Sequence, residues 1–220
     1  MSNFEITAQN RVARVPDRGA YDKETIYPII DEALICHVGL VQDGQPFVIP
    51  TLHARQDDTL LLHGATTSRL MKYAQSGQPL CVTITLVDSL VLARSVFHHS
   101  MNYRSAVLFG RGRLVEQEDE KLRALQAFTE HILPGRWDDA RPPNAVEMKA
   151  TAVVAMPIEL ASAKIRTGPP GDDDEDLTLP VWAGLLPIEQ QFSPPENAPD
   201  LSDNIPVPAY VSDYLKNRNG

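Results

Sequence analysis

The run Thr66-Thr67-Ser68-Arg69, with Lys72 one helical turn beyond Ser68, is the first place where chemistry is legible. Its polar residues open an apolar, helix-patterned stretch, so their hydroxyls meet unpaired backbone N–H groups at a helix start. That is an anion site, and phosphate is the anion it suits, because Arg grips phosphate in a bidentate way and Lys adds a point charge. An ordinary N-cap followed by a surface Arg would read the same way. A second cluster is Thr83 and Thr85, which alternate with Val82, Ile84 and Leu86 and so share one face of a strand. A solvent-facing Thr pair is the plain alternative. His98-His99 suggests a metal pair, but neighbours on a strand point to opposite faces and rarely chelate one ion. They read as polar loop histidines, one of them free to face a substrate. Asn102-Tyr103-Arg104-Ser105 opens another apolar strand, which ends in Gly110-Arg111-Gly112. Those glycines lack the third Gly and the following helix of a dinucleotide fingerprint, so they read as a close backbone approach or bulge. Lys164 and Arg166 share a strand face. Trp182 reads as a core residue or a ring-stacking one.

Other chemistries find no support. The chain has no CxxC, HExxH, Walker loop, serine elbow or paired-carboxylate signature, and no metal site is expected. The run Asp172 to Asp176 reads as a solvated loop. A formal charge of −9 and a pI near 5.1 argue against nucleic acid and acidic membranes, which reward basic patches. Cys36 and Cys81 each lie in apolar runs, as small core residues in a reducing compartment would. No stretch reaches the roughly 18 apolar residues of a membrane helix, and the N-terminus lacks a signal-like apolar segment, so a cytoplasmic protein is expected.

The elements that must position these residues follow from periodicity. With 43% apolar residues the 220-residue chain can bury a real core. Residues 1–20 read as an irregular arm. Asp22 to Ala33 has helical spacing, with Ile26, Ile29 and Ile30 on one face and Asp22 as cap. Strands are expected at 34–41, 47–55, 59–63, 80–93 and 104–115, with turns at Asp43-Gly44 and Asp57-Asp58. Helices are expected at about 67–76, stopping at Gly77, and at 116–132, where Leu122, Leu125, Ala127 and Phe128 recur. Residues 147–158 return to strand pattern and extend towards Arg166. Strands joined by tight turns with few helices predict a mainly β fold, an antiparallel barrel with peripheral helices occupying residues 21–166. Residues 167–220 hold nine of the 18 prolines and the acidic run. Such a segment cannot build its own core and is expected to wrap the barrel or a partner subunit. No internal repeat is present.

In this order the phrases Val48-Ile49-Pro50-Thr51, Leu62-His63-Gly64, Ser68-Arg69-Leu70, Cys81-Val82-Thr83, Val91 to Ser95, His98 to Ser105 and Pro180 to Gly184 resemble the pyridoxamine 5′-phosphate oxidase-like split barrels. They resemble most its flavin-nucleotide-binding, nitroimidazole-reductase-like branch, over about Arg14 to Pro187. The resemblance implies a split β-barrel, a homodimer and two FMN sites at the subunit interface. It places Ser68, Arg69 and Lys72 at the flavin phosphate, and Pro50, Thr51, His63 and Gly64 beside the ribityl chain and ring. It adds Tyr103, Arg104 and Ser105, with Trp182 as a counterpart of a C-terminal tryptophan; a flavin's pyrimidine edge would meet Thr83 and Thr85. Haem and deazaflavin occupy related barrels. No Arg-x-His stands near the C-terminus, so vitamin B6 oxidation does not carry over with the fold. The implied activity is an FMN-dependent oxidoreductase that takes electrons from NAD(P)H and reduces a small organic acceptor, with His98, His99 and Tyr103 near the substrate. A non-enzymatic flavin-binding or redox-sensing dimer would use the same cofactor residues.

Overall fold

A computed structural model describes residues 3–202 and 204–219. Among them, nine strands form one sheet: β1 (Gly19–Ala20), β2 (Ile35–Gln42), β3 (Gln45–Gln56), β4 (Thr59–Ala65), β5 (Ser76–Leu92), β6 (Ser100–Leu114), β7 (Thr151–Pro157), β8 (Leu160–Arg166) and β9 (Gly184–Pro187). The order β5-β6-β7-β4-β3-β2 closes back on β5, giving a six-stranded antiparallel barrel. Length explains the split. The 15-residue β6 pairs with β5 along its run, with β8 up to Phe109, and with β7 only at Arg113 and Leu114. The 17-residue β5 meets β2 at Cys81 to Thr83 and carries β9 on Ser89 to Leu92.

Leu60, Leu62, Val82, Ile84, Leu108, Val154 and Met156 fill the interior. Helix α1 (Lys23–Glu32) plugs one end with Ile26, Ile29 and Ile30, and its start is fixed by Asp22, whose carboxylate accepts from the Thr25 N–H at 2.7 Å. The barrel's outer wall carries a second apolar cluster, in which Leu61, Val153 and Ala155 pack against Ala124 and Phe128 of α3 (Glu118–Ile132). Outside lie α2 (Arg69–Ala74), α4 (Arg136–Asp139), α5 (Ala145–Ala150) and α6 (Ala209–Asn219).

Gly110 and Gly112 stand where the barrel wall has no room. A Cβ on Gly112 would lie 2.4 Å from the Ala74 carbonyl oxygen, and one on Gly110 would lie 2.2 Å from that of Pro157. The close-approach reading of these glycines therefore holds.

The structure corrects several expectations. Residues 147–150, expected to begin a strand, are helical instead, because Asn144 and Glu147 form a reciprocal capping box that starts the helix at Ala145. Helix α2 is shorter than expected, since Ser68 caps it and β5 already begins at Ser76 with a register break before Pro79. The acidic run is not wholly solvated: the Asp172 side chain is 1% exposed and accepts from the N–H groups of Arg94 and Ser95 and from the Arg94 guanidinium. Trp182 is not a core residue but 67% exposed. Strand β9 and helix α6 lie in the Pro-rich segment, where no element was expected. No helix among the described residues is long and apolar enough to cross a membrane.

Candidate functional site

Strand β4 runs into α2 through Ala65 to Ser68, and this segment displays the clearest binding surface. Gly64 permits it, since a Cβ there would sit only 3.2 Å from Met71 Cγ. Leu70, Met71 and Ala74 bury the inner face of α2, leaving Arg69, Lys72 and Tyr73 beside a cleft of about 440 Å³. Thr67, Ser76 and Gln42 complete its lining, which contains two cations and no carboxylate. The Arg69 guanidinium lies over the Phe47 ring, 4.0 Å from its centroid, an arrangement that orders a long side chain before any ligand arrives. Ser68 spends its oxygen as the N-cap, accepting from the Met71 N–H at 3.1 Å. A helix of six residues has a small dipole, so Arg69 and Lys72 supply the charge.

His63 points the other way. Leu60 and Leu62 face the interior, so His63 and Leu61 face outwards, and the His63 ring lies 4.2 Å from that of Phe128. It borders a chamber of about 330 Å³ walled by Leu52, Leu125, Ile132 and Trp137, with Arg141 at the lining. Glu147 pairs with Arg141 at 2.7 Å, which holds its carboxyl down at about 2. The buried His63 Nδ1 has no hydrogen-bond partner, and burial lowers the pKa below 6.5. A neutral imidazole with an unpaired nitrogen beside an apolar chamber is a metal-ligand donor.

The remaining expected site residues do not join either place within one chain. Pro50 of β3, His37 of β2 and Thr83 of β5 stand in cross-strand register, and Thr51 lies opposite Cys36. Thr85 and Arg104 border a separate cleft of about 550 Å³, alongside His37, Asp88, Ile188 and Arg218. Arg104 is committed there to carboxylates: it meets Glu32 at 2.5 Å and Asp88 at 2.8 Å, which raises its pKa further. Ser105 donates to the Lys164 carbonyl at 3.1 Å, and Tyr103 stands between Val87 and Arg166 in register. His98 is 3.1 Å from Asp173, and His99 Nδ1 is 3.0 Å from the Ser95 carbonyl. No group of three or more metal-ligating side chains converges among the described residues.

The pyridoxamine 5′-phosphate oxidase family model matches residues 22–165, from the cap of α1 into β8. The chain belongs to this family. It is 40% identical to the flavocytochrome Anf3 from Azotobacter vinelandii, covering 94% of this chain and 96% of that one, with a TM-score of 0.89. It is 34% identical to the FAD and haem binding protein from Mycobacterium smegmatis, covering 90% and 97%, with a TM-score of 0.86. A candidate 5-nitroimidazole antibiotic resistance protein from Bacteroides thetaiotaomicron is 26% identical over 67% of this chain and 86% of its own, with a TM-score of 0.58. None of the curated proteins matches this chain.

Ser68, Arg69 and Lys72 stood out from sequence because they sit within one helical turn of one another. Phe47, Gln42 and Ser76 did not, because only barrel closure brings them to Arg69. The unpaired nitrogen of His63 is likewise a tertiary fact, although the residue itself was legible from the phrase around it.

Proposed function

We propose that this chain is a flavin- and haem-binding redox protein that works as a homodimer. The observation that carries the flavin is the acid-free cleft in which Arg69 is held over Phe47 beside Lys72 and Thr67. Arg69 and Lys72 would hold the phosphate, and the Thr67 hydroxyl would donate to it. The names of the two relatives above 30% identity favour a flavin with haem, and one of them specifies FAD rather than the FMN expected from sequence. The haem reading rests on His63, whose ring borders a chamber of Phe128, Leu125, Ile132 and Trp137 that suits a flat apolar macrocycle. His63 would hold its iron. When bound, the flavin supplies two-electron and one-electron chemistry and the haem one-electron chemistry.

The protein's own residues bind, orient and exclude water; the reductant is proposed to be a nicotinamide nucleotide and the acceptor a small organic molecule. A second copy of the chain would cover the exposed apolar surface of Val48, Trp182, Leu186 and Ile188 and bring the scattered polar residues of β5 and β6 to a shared site.

Absorption spectroscopy of the purified protein tests both cofactors, and chromatography of the released flavin separates FAD from FMN. Arg69→Ala removes a charge-assisted contact worth roughly 1.5–3 kcal/mol, about one to two decades of affinity. It should weaken phosphorylated flavins and spare riboflavin; equal losses overturn the phosphate assignment. His63→Ala should abolish or shift the Soret band while leaving flavin bound, and an unchanged Soret band overturns the ligand. Saturable bleaching by NADH or NADPH supports an enzyme. A flavin that neither donor bleaches leaves a redox-sensing dimer.

A further inference from the structure

The N-terminal arm is not loose. Asn10 is 3% exposed and works as a rivet: its amide donates to the carbonyls of Glu5 and Ala161 at 2.8 and 2.9 Å, and its oxygen accepts from the Thr7 N–H. Val12 N–H donates to the Tyr21 hydroxyl at 2.9 Å. Val15, β-branched, sits at φ 54° directly before Pro16, a strained left-handed turn that the surroundings must enforce. Rigidly held in this way, the arm runs over the outer face of β6 and β8 and leaves a groove of about 280 Å³ beneath it.

The lining of this groove has two characters. Val107 and Phe109 of β6 supply an apolar floor, with the Ser105 hydroxyl beside them, while Arg11, Arg14 and Lys164 supply three positive charges. None of the three cations forms an ion pair among the described residues, although acids outnumber bases 29 to 20 in the chain. The arm's own acids, Glu5 and Asp17, form none either. Unneutralised cations on an ordered arm, facing an aromatic floor, match a ligand with a flat ring at one end and a polyanion at the other. No lining residue is shared with the Arg69 cleft.

We propose that this groove binds a nucleoside diphosphate group, its base against Val107 and Phe109 and its pyrophosphate against Arg11, Arg14 and Lys164. Two molecules carry that group to a flavoprotein: a nicotinamide dinucleotide, and the adenylate half of FAD itself. Calorimetric titration of the protein as purified with ADP, adenosine and inorganic pyrophosphate tests it. ADP should bind, and at least tenfold more tightly than adenosine or pyrophosphate. Arg11→Ala with Arg14→Ala should weaken ADP at least tenfold while the melting temperature stays within about 2 °C of the parent. Absence of ADP binding both to the protein as purified and to protein stripped of its flavin, or equal affinity in the double variant, overturns the proposal. Release of flavin as ADP binds assigns the group to FAD. Retained flavin, with NADH or NADPH competing against ADP, assigns it to the donor. ADP binding is read directly, so the result stands apart from whether the Arg69 cleft holds the flavin phosphate.

Discussion

Acidification should destabilise this protein well above the pH at which carboxylates titrate, and His53 is the reason. The ring is wholly buried on β3, and its Nε2–H donates to the Ile30 carbonyl at 2.8 Å. His131 of α3 meets the Ala33 carbonyl in the same way, so two imidazoles satisfy carbonyls at the C-terminal end of α1, which helix geometry leaves unpaired. The rings stand 5.1 Å apart, and His53 Nδ1 has no partner to share a second proton. Burial, opposed only in part by the Ile30 carbonyl, lowers the His53 pKa from 6.5 to about 4. The unfolded chain therefore takes up the proton first. Stability is full above about pH 6.5 and is lost as pH falls towards 4, by roughly 3 kcal/mol at about 1.4 kcal/mol per pK unit. His63, whose pKa burial also lowers, adds loss in the same direction. Urea midpoints between pH 7.5 and 4.5 measure this, with His53→Gln as comparator, because a glutamine amide can still donate to Ile30 but does not titrate. The parent should lose stability more steeply than the variant through pH 6 to 5. Parallel slopes would refute the reasoning.

Gly112→Ala should cost about 3 kcal/mol or more, because its Cβ meets both the Ala74 carbonyl at 2.4 Å and Val154 Cγ1 at 2.6 Å. Thermal melting should fall by roughly 6–12 °C for a chain of this size, whereas Gly171→Ala, with open space around it, should melt like the parent. Phe47→Leu should weaken flavin binding about two- to fivefold by freeing Arg69, without a large change in melting. Asp172→Ala should expose the 93–99 turn to limited proteolysis, since Asp172 is what ties the Arg94 and Ser95 N–H groups to the Pro-rich segment.

Strands and their turns were legible wherever alternation and turn chemistry coincided. Asp43-Gly44 does join β2 to β3, and Asp57-Asp58 joins β3 to β4, with Asp43 and Asp57 taking the positive φ these tight turns need. Helix α1 was readable from Ile26, Ile29 and Ile30 because a plug buries one stripe only. What escaped depended on partners far along the chain. Residues 145–150 carry a mixed pattern that a capping box decides in favour of helix, and β9 is four residues long, a strand only because β5 overhangs the barrel to receive it. Arg104 looked available and is instead tied to Glu32, 72 residues away in sequence. Trp182 looked like core, yet it stands 67% exposed, its ring edge beside Gly184, where an added Cβ would come within 2.9 Å.

One short segment ties the two proposed cofactor sites together. Alternation along β4 sends Leu62 into the barrel and His63 out against Phe128, while Gly64 lets α2 settle on the barrel end so that Arg69 emerges at the opposite cleft. Arg69 stands six positions after His63, a chain length that spans at most about 20 Å even when fully extended. The strand is held on both sides, by His53 opposite Leu62 on β3 and by Val153 opposite His63 on β7. Neither site can move without dragging the other. This rigidity would keep the two redox groups proposed for these sites at a set separation.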